Sequence, residues 1–340
     1  MNSHGIDSLQ VPPDERAQTL QRLIAPILDD LGQSEQVLLK LLTSSYPYIQ
    51  TLLQHIERFR GKRLRPALLH LAARAFGGEA PQSYDVAAVV EMLHLATLCH
   101  DDILDEAATR RRVATVNANW GNKSAVMTGD MLFSRGFEHL GRLSDMRPFR
   151  ILSRTSRLIC EGELLQIASR FDVALNESQY FDLIEKKTAV LFGAAAELGA
   201  LLAGADEQEG RRLYEYGRRL GLAFQIVDDC LDLVGDESTV GKSLGGDLKN
   251  GELTLPLIHL LAHAESLHKQ EVLALFKPGR EGLTRERLLP YLERGGSVAY
   301  AIGVARNELQ RARDELVGLP ESAAKTALLE LPEYVLARTS

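Results

Sequence analysis

The sequence predicts an all-α protein whose long helices surround one central cavity. Apolar residues recur at spacings of three and four along most of the chain, and no stretch alternates apolar and polar residues between hairpin turns. We therefore expect one all-α domain over residues 16–340, without strands. Residues 1–15 lack an apolar core, so we expect a flexible segment there and neither a signal peptide nor a transit peptide.

Five helices can be placed from the apolar spacing. They are predicted at residues 20–28, 38–56, 86–104, 189–205 and 213–234. The segments 86–104 and 213–234 are the most regular and should be central, with Gly235 ending the second one. Residues 189–205 are the most membrane-like stretch, but the segment is short for a span and contains Glu197. We predict a buried core helix there.

Composition excludes several classes of protein. The chain has 340 residues, of which 45% are hydrophobic and 25% charged, as in ordinary globular proteins. Its net charge of -7 argues against a nucleic-acid partner, because such proteins present a basic surface. Three cysteines are too few for a disulfide scaffold and fit a reducing compartment, so we expect a cytoplasmic protein without a transmembrane segment.

The pattern Asp-Asp-x-x-Asp occurs twice, each time at the end of a predicted central helix. The carboxylates are Asp101, Asp102 and Asp105 in the first copy, and Asp228, Asp229 and Asp232 in the second. On a helix the first and last aspartates of each copy face the same way and repel each other unless a cation lies between them. Magnesium prefers such oxygen ligands, usually together with substrate phosphates. A solvated helix end is the simpler alternative, but two identical copies after apolar residues favour a metal site.

Two groups of basic residues, one before and one after the first motif, are candidates for binding phosphate. Lys62 and Arg65 are three residues apart and can grip one phosphate group, while Arg110 and Arg111 follow the motif directly. His94 precedes the motif by two helical turns on roughly the same face. A core histidine and a ligand-binding histidine are equally compatible with that position.

Further polar residues surround the second motif. Gln225 shares a helix face with the aspartates of that motif, and Lys187 and Thr188 precede the apolar helix before it. Lys242 lies in a polar loop with five glycines between positions 235 and 251, which resembles a lid. The chain has no Ser-His-Asp arrangement. The inventory suits a reaction in which a diphosphate leaves with metal assistance.

Taken in order, these motifs resemble those of the trans-isoprenyl diphosphate synthase, or polyprenyl synthetase, family. The resemblance covers about residues 61–256 and implies the isoprenoid-synthase type of helical bundle. The matching segments are GKRLRP from Gly61, DDILD from Asp101, GELLQ from Gly162, Lys187-Thr188, FQIVDDCLD from Phe224 and GKSLGGDLKNG from Gly241. A terpene cyclase would not need the basic segment and has a different second motif.

The resemblance implies a role for each polar group. The six motif aspartates would bind three magnesium ions per active site and, with Lys187 and Lys242, form the catalytic set. The allylic diphosphate would be held by Arg110, Lys187, Thr188, Gln225 and Lys242. Isopentenyl diphosphate would be held by Lys62, Arg65, His94 and Arg111. The implied reaction is ionisation of the allylic diphosphate, attack by the isopentenyl double bond and proton loss.

The chain departs from the family pattern at two positions. Arg112 stands where a glycine is common, and Glu252 stands where relatives often carry a lysine. Neither change removes a predicted metal ligand. Because glutamate is negatively charged, position 252 is not expected to supply a positive charge to the diphosphate site.

The small residues Ala96 and Thr97, just before the first motif, bear on product length. In relatives that make short products an aromatic residue here closes the path of the growing chain, so the resemblance implies a product longer than farnesyl, such as a quinone side-chain precursor. The alternatives are a synthase of geranylgeranyl or farnesyl length and a non-catalytic subunit of a heteromeric enzyme. The resemblance further implies a homodimer, and a product of this length implies transient membrane contact during release.

Overall fold

Sixteen α-helices make up most of the part of the chain that the computed structural model describes, residues 13–59, 61–78, 82–235, 244–264, 266–275 and 284–337. We number them in chain order. They are α1 (Pro13–Ile24), α2 (Leu28–Leu41), α3 (Pro47–Ile56), α4 (Leu64–Ala75), α5 (Gln82–Leu104), α6 (Val116–Leu140), α7 (Arg147–Ala168), α8 (Glu177–Ile184), α9 (Val190–Leu202), α10 (Glu207–Val234), α11 (Gly246–Lys249), α12 (Leu255–His263), α13 (Ser266–Leu275), α14 (Arg285–Arg294), α15 (Ser297–Asp314) and α16 (Ala323–Leu336). The prediction of an all-α fold is confirmed.

The two central helices are α5 and α10, as predicted. Helix α5 packs against α6 and α2, and α10 packs against α9 and α15. Helix α10 begins at Glu207, earlier than the apolar spacing indicated, because Asp206 forms a capping box. The Asp206 side chain accepts hydrogen bonds from the backbone N–H groups of Gln208 and Glu209. The signal was therefore present in the sequence as a polar capping pattern.

The prediction of a single helix over residues 38–56 was wrong. Helix α2 ends at Leu41 and α3 begins at Pro47, because proline fits the first turn of a helix and disfavours helical backbone in the residue before it. Residues 20–28 are interrupted in the same way by a 3₁₀ turn, Ala25–Ile27, that contains Pro26.

The expectation that the chain has no strands was also wrong at one place. Strands β1 (Thr109–Arg110) and β2 (Val113–Ala114) form an antiparallel hairpin directly after the first aspartate motif. Its turn residues, Arg111 and Arg112, have φ angles of 50° and 64°. Both turn residues have positive φ in type I′ hairpins. Strands of two residues are too short to give an alternating pattern, so the sequence could not reveal them.

Helix α9 is the buried core helix that was predicted at residues 189–205. It packs between α4 and α10, and a π-helical segment, Glu185–Ala189, leads into it. Within the described ranges, no helix combines the length and the apolar character that a membrane crossing requires.

The chain after α10 is described in part. Gly235 caps α10 as predicted, in an extended conformation, and α12 begins at Leu255 with Pro256 in its first turn. The predicted lid falls largely on residues 236–243, which include Lys242 and lie outside the described residues. Most of the predicted flexible segment 1–15 also lies outside them, and α1 begins at Pro13.

Candidate active site

The first aspartate motif ends helix α5, where Asp101 is half-buried, Asp102 is buried and Asp105 is exposed. The hairpin turns Arg110 back toward the motif, and its Nε donates a hydrogen bond to Asp102 Oδ1 at 2.7 Å. The oxygens Asp101 Oδ1 and Asp102 Oδ2 are buried and have no hydrogen-bond partner among the described residues. Buried carboxylate oxygens without donors are costly unless a cation satisfies them.

The pKa values of these carboxyl groups reflect their burial. Burial raises the pKa of Asp101 to about 7, although the nearby Lys187 ammonium acts in the opposite direction. Burial also raises the pKa of Asp102, and the charge and hydrogen bond of Arg110 oppose that shift. The first motif is therefore short of positive charge, which a divalent cation would supply.

The second motif ends helix α10 and is held by a hydrogen-bond chain. The Tyr180 hydroxyl donates to Asp229 Oδ2 at 2.6 Å, and Gln225 Nε2 donates to Asp229 Oδ1 at 2.7 Å. Thr188 Oγ1 in turn donates to Gln225 Oε1 at 2.8 Å. Burial raises the pKa of Asp229 to about 7, and the two hydrogen bonds oppose that shift. These hydrogen bonds connect α8, the π-helical segment and α10.

The other two aspartates of the second motif differ in exposure. Asp228 is half-exposed, whereas Asp232 is buried. Asp232 Oδ2 accepts a hydrogen bond from the backbone N–H of Asp247 at 3.2 Å, which attaches α11 to the end of α10.

Lys187 lies among acidic and polar groups of α7. Its Nζ donates to Gln166 Oε1 at 2.6 Å and lies 3.2 Å from Glu163 Oε1. Burial alone would lower the pKa of Lys187, but the charges of Glu163 and Asp101 outweigh it and raise the pKa. Lys187 therefore remains a cation beside the first motif.

The π-helical segment and a glycine bring Lys187 this close to α7. A π-helix carries one extra residue per turn and is frequent at functional sites. A β-carbon placed on Gly162 of α7 would lie only 2.6 Å from the backbone nitrogen of Lys187. Glycine is therefore required for this approach.

Glu252 lies between the two motifs. Gln166 Nε2 donates a hydrogen bond to Glu252, and Arg170 Nη2 lies 3.4 Å from Glu252 Oε1. Burial is the main cause that raises the pKa of Glu252, and the negative charge of Asp105 adds to it. The charge of Glu252 likewise contributes to the raised pKa of Asp229. The two motifs thus share one acidic neighbourhood.

Of the two basic residues predicted from the GKRLRP segment, Arg65 lies near His94, and Lys62 lies over the ring of Tyr334. Burial lowers the pKa of His94 well below its usual value, and the positive charges of Arg65 and Arg111 lower it further. The Arg65 guanidinium lies 4.5 Å from the centre of the Phe192 ring, and Lys62 Nζ lies 5.4 Å from the Tyr334 ring.

Two arginines of this region are held by the protein itself. Arg111 Nη1 donates a hydrogen bond to the carbonyl of Phe59. Arg63, which the sequence did not single out, pairs with Glu91 at 2.6 Å and with Glu35 at 3.2 Å. The charge of Arg63 also contributes to the lowered pKa of His94. His94 is thus a neutral ring in a cationic pocket.

The donor set fits magnesium. Among the residues that the structure describes, no three or more His, Cys, Asp or Glu side chains are arranged to hold a metal ion alone. Magnesium usually takes one or two carboxylates and completes its octahedron with waters and substrate phosphates. The partnerless oxygens of Asp101 and Asp102 meet that requirement.

Comparison with known proteins identifies the family. The sequence profile described as polyprenyl synthetase matches residues 46–287. The chain belongs to the polyprenyl synthetase family. Its members are prenyl diphosphate synthases, so the protein is a transferase. Octaprenyl diphosphate synthase of Haemophilus influenzae is 36% identical over 312 residues, which cover 92% of this chain and 94% of that protein.

Solved structures of polyprenyl synthetases share the fold. Decaprenyl diphosphate synthase from Rhodobacter capsulatus superposes with a TM-score of 0.89 at 35% identity, covering 94% of this chain and 99% of that one. A polyprenyl synthase from Caulobacter crescentus, complexed with calcium and isoprenyl diphosphate, superposes with a TM-score of 0.89 at 33% identity. The match covers 94% of this chain and 98% of that one. Nearly the whole chain therefore matches complete members of the family.

The two positions that the polyprenyl synthetase resemblance assigned to product length have different surroundings in the structure. Thr97 is half-buried in line with His94 and Asp101, on the face of α5 that leads to the first motif. Ala96 is fully buried in the cluster that α5 forms with α2, α3 and α6.

Several residues near the polyprenyl synthetase motifs were missed by sequence reasoning. Glu163 lies inside the quoted GELLQ segment, so its motif was a usable signal. Asn250, which donates a hydrogen bond to Asp105, likewise lies inside the quoted GKSLGGDLKNG segment. Tyr180 and Arg170 gave no such signal, because each reaches its aspartate only through the packing of separate segments.

Proposed function

We propose that the protein condenses isopentenyl diphosphate with an allylic diphosphate, head to tail and in trans, to give a polyprenyl diphosphate longer than farnesyl. One observation carries the proposal: two aspartate motifs end helices α5 and α10, Lys187 lies beside the first motif, and two carboxylate oxygens of that motif are buried without donors among the described residues. The polyprenyl relatives of matching length support it.

The proposal gives each side chain a role in the ionisation step. The six motif aspartates hold magnesium, three ions per active site, together with the allylic diphosphate. Bound magnesium supplies positive charge to the leaving diphosphate. Arg110, Lys187, Thr188, Gln225 and Lys242 bind the same diphosphate, and Lys187 stays protonated for this task because its acidic neighbours raise its pKa.

The second substrate is assigned to the pocket around His94. Lys62, Arg65 and Arg111 neutralise the diphosphate of isopentenyl diphosphate, and the neutral ring of His94 donates one hydrogen bond to it. The apolar faces of α5 and α9 exclude water, which would otherwise quench the allylic cation.

Product length is assigned to the small residues one turn before the first motif. We expect Thr97→Phe to shorten the product, because a phenyl ring there adds bulk on the face of α5 that leads to the first motif. Ala96→Phe should shorten it as well, because a phenyl ring does not fit the packed contacts of Ala96 with α2, α3 and α6 and should displace α5 toward the path of the growing chain. Thr97→Val, which keeps the size of the side chain, should leave the product length unchanged. Reverse-phase chromatography of the dephosphorylated products measures the length. An unchanged length in both phenylalanine variants would remove these positions from the length-determining set.

The protein is further proposed to be a cytoplasmic homodimer that touches membranes transiently when it releases its product. Exposed apolar residues such as Met127 and Leu164, exposed to 64% and 66%, are available for such contacts. Light scattering coupled to size exclusion measures the oligomeric state, and a monomer across micromolar concentrations would contradict the dimer.

The decisive experiment is an elongation assay. Purified protein is incubated with magnesium, isopentenyl diphosphate and farnesyl diphosphate, and the products are sized by mass. A ladder that ends in one dominant polyprenol is expected, whereas Asp101→Asn should abolish it. Absence of elongation by folded wild-type protein, with every primer from dimethylallyl to geranylgeranyl diphosphate, would contradict the proposal and favour a non-catalytic subunit.

A further inference from the structure

An arginine stands next to the position where this chain lacks the lysine of its relatives. Arg170, just beyond the end of α7, places Nη2 3.4 Å from Glu252 Oε1. The same nitrogen lies 3.6 Å from Asp105 Oδ1 of the first motif. A positive charge is therefore present at this edge of the site, but it comes from α7 and not from position 252.

The guanidinium of Arg170 is only partly used by the protein. Its contact with Asp105 is long, and its remaining contact, to the carbonyl of Leu104, measures 3.5 Å. Its Nε is buried and has no acceptor among the described residues. Arginine presents its donors as a rigid fork that matches phosphate oxygens. The group thus retains donors for an anionic ligand.

Glu252 is built into the protein more firmly than Arg170. Its side chain is 12% exposed, and it accepts a hydrogen bond from Gln166 Nε2. Because the Gln166 amide also accepts a hydrogen bond from Lys187, its orientation is fixed by Glu252 on one side and Lys187 on the other. Glu252 therefore orders both cations that border the first motif.

We propose that Arg170 is a diphosphate-binding residue and that Glu252 is the positioning residue that holds it in place. This inference rests on the proposed function, because it assigns one more contact to the allylic diphosphate. Arg170 supplies a cation beside position 252, where the family pattern often has a lysine, and the negative charge of Glu252 holds Arg170 there.

Metal binding explains why two acidic partners are needed. In the protein without ligand, Asp105 and Glu252 share the charge of Arg170. If Asp105 were engaged by a metal ion, Arg170 would lose that partner, and Glu252 would still hold the guanidinium at this edge of the site. The alternative is that the pair only fastens the segment around Glu252 to α7.

Calorimetric binding of inorganic diphosphate with magnesium tests the proposal without catalysis. Arg170→Ala should weaken binding by about tenfold, the effect of losing one charge-assisted contact, and Arg170→Lys should restore part of it. Arg157→Ala is the matched control, because Arg157 lies in α7, the helix that leads to Arg170, and pairs with Glu161 on the surface. A lowered melting temperature of Arg170→Ala with unchanged diphosphate affinity would overturn the proposal.

Moving the charge back to position 252 gives the second test. Glu252→Lys in the Arg170→Ala background should restore diphosphate affinity to within about threefold of wild type, whereas Glu252→Ala alone should weaken it. In elongation assays Arg170→Ala and Glu252→Ala should each raise KM for the allylic substrate, the double variant should bring it back toward the wild-type value, and KM for isopentenyl diphosphate should stay unchanged. Failure of Glu252→Lys to restore affinity would contradict a charge-supplying role. If wild type binds magnesium diphosphate but elongates no primer, the proposed function fails while the binding role of Arg170 stands.

Discussion

Arg112 adopts a backbone conformation that arginine rarely occupies. Its φ of 64° follows an Arg111 φ of 50°, so two consecutive non-glycine residues are left-handed in one turn. The left-handed region costs an ordinary residue about 1–2 kcal/mol. The turn persists because it aims Arg110 at Asp102 and Arg111 at the carbonyl of Phe59. The hydrogen bonds of Arg110 and Arg111 therefore offset the strain of the turn.

Arg112→Gly should stabilise the protein by about 0.5–1 kcal/mol, because glycine accepts positive φ without strain but loses more chain entropy on folding. Chemical denaturation measures the free energy of unfolding. Arg112→Ala is the control, since it removes the side chain and keeps the strain, and it should bring no gain. Equal stabilisation by both variants would show that the arginine side chain, and not its backbone conformation, is unfavourable.

At the residue scale, the sequence predicted the charged centre of the site better than its supports. The motif aspartates, Lys187 and Gln225 were identified because each lies in a short, recognisable pattern. Tyr180 was not, because it donates to Asp229 across 49 positions of sequence and only helix packing brings the two together. A hydrogen bond of that kind has no local signature.

At the element scale, the approach of α7 to the π-helical segment determines where Lys187 lies. The absent side chain of Gly162 allows the two backbones to touch. The helix boundaries that the apolar spacing missed, at Pro47 and Glu207, do have proline and capping signals in the sequence. The π-helical turn at Glu185–Ala189 has none, because its residues fit an ordinary α-helix equally well.

Gly162→Ala should destabilise the protein by about 1–3 kcal/mol, because the new β-carbon would force α7 away from the backbone of Lys187. The displaced ammonium should also raise KM for the allylic substrate. Gly303→Ala in α15 is the matched control, since no described atom outside its own stretch of helix lies within 4 Å of the added carbon, and alanine there should stabilise by about 0.5–1 kcal/mol. Denaturation midpoints compare the two. If Gly162→Ala left the denaturation midpoint unchanged, α7 and the π-helical segment could move apart without loss of stability.

At the scale of the whole molecule, buried acidic side chains are grouped at the candidate active site. Burial raises the pKa of both Asp101 and Asp229 to about 7, from a usual value of 3.8. Each group therefore favours the protonated form when the protein folds. The stability that this provides is fully present below about pH 4 and is lost as the pH rises toward 7. At neutral pH a bound cation should therefore stabilise the ligand-free protein, because it neutralises these ionised carboxylates.

Magnesium should stabilise the protein more at pH 8 than at pH 5.5, because the metal binds the ionised carboxylates and protons compete with it at the lower pH. Melting temperatures with magnesium chloride and with sodium chloride of equal ionic strength measure the difference. Without metal, Asp101→Asn should gain stability relative to wild type by up to about 1.4 kcal/mol for each pH unit between 5 and 7, because it removes one buried charge. A magnesium effect that is equal at both pH values would contradict the burial-raised pKa of these aspartates. If the difference in the free energy of unfolding between Asp101→Asn and wild type did not change with pH, the pKa of Asp101 would not be raised.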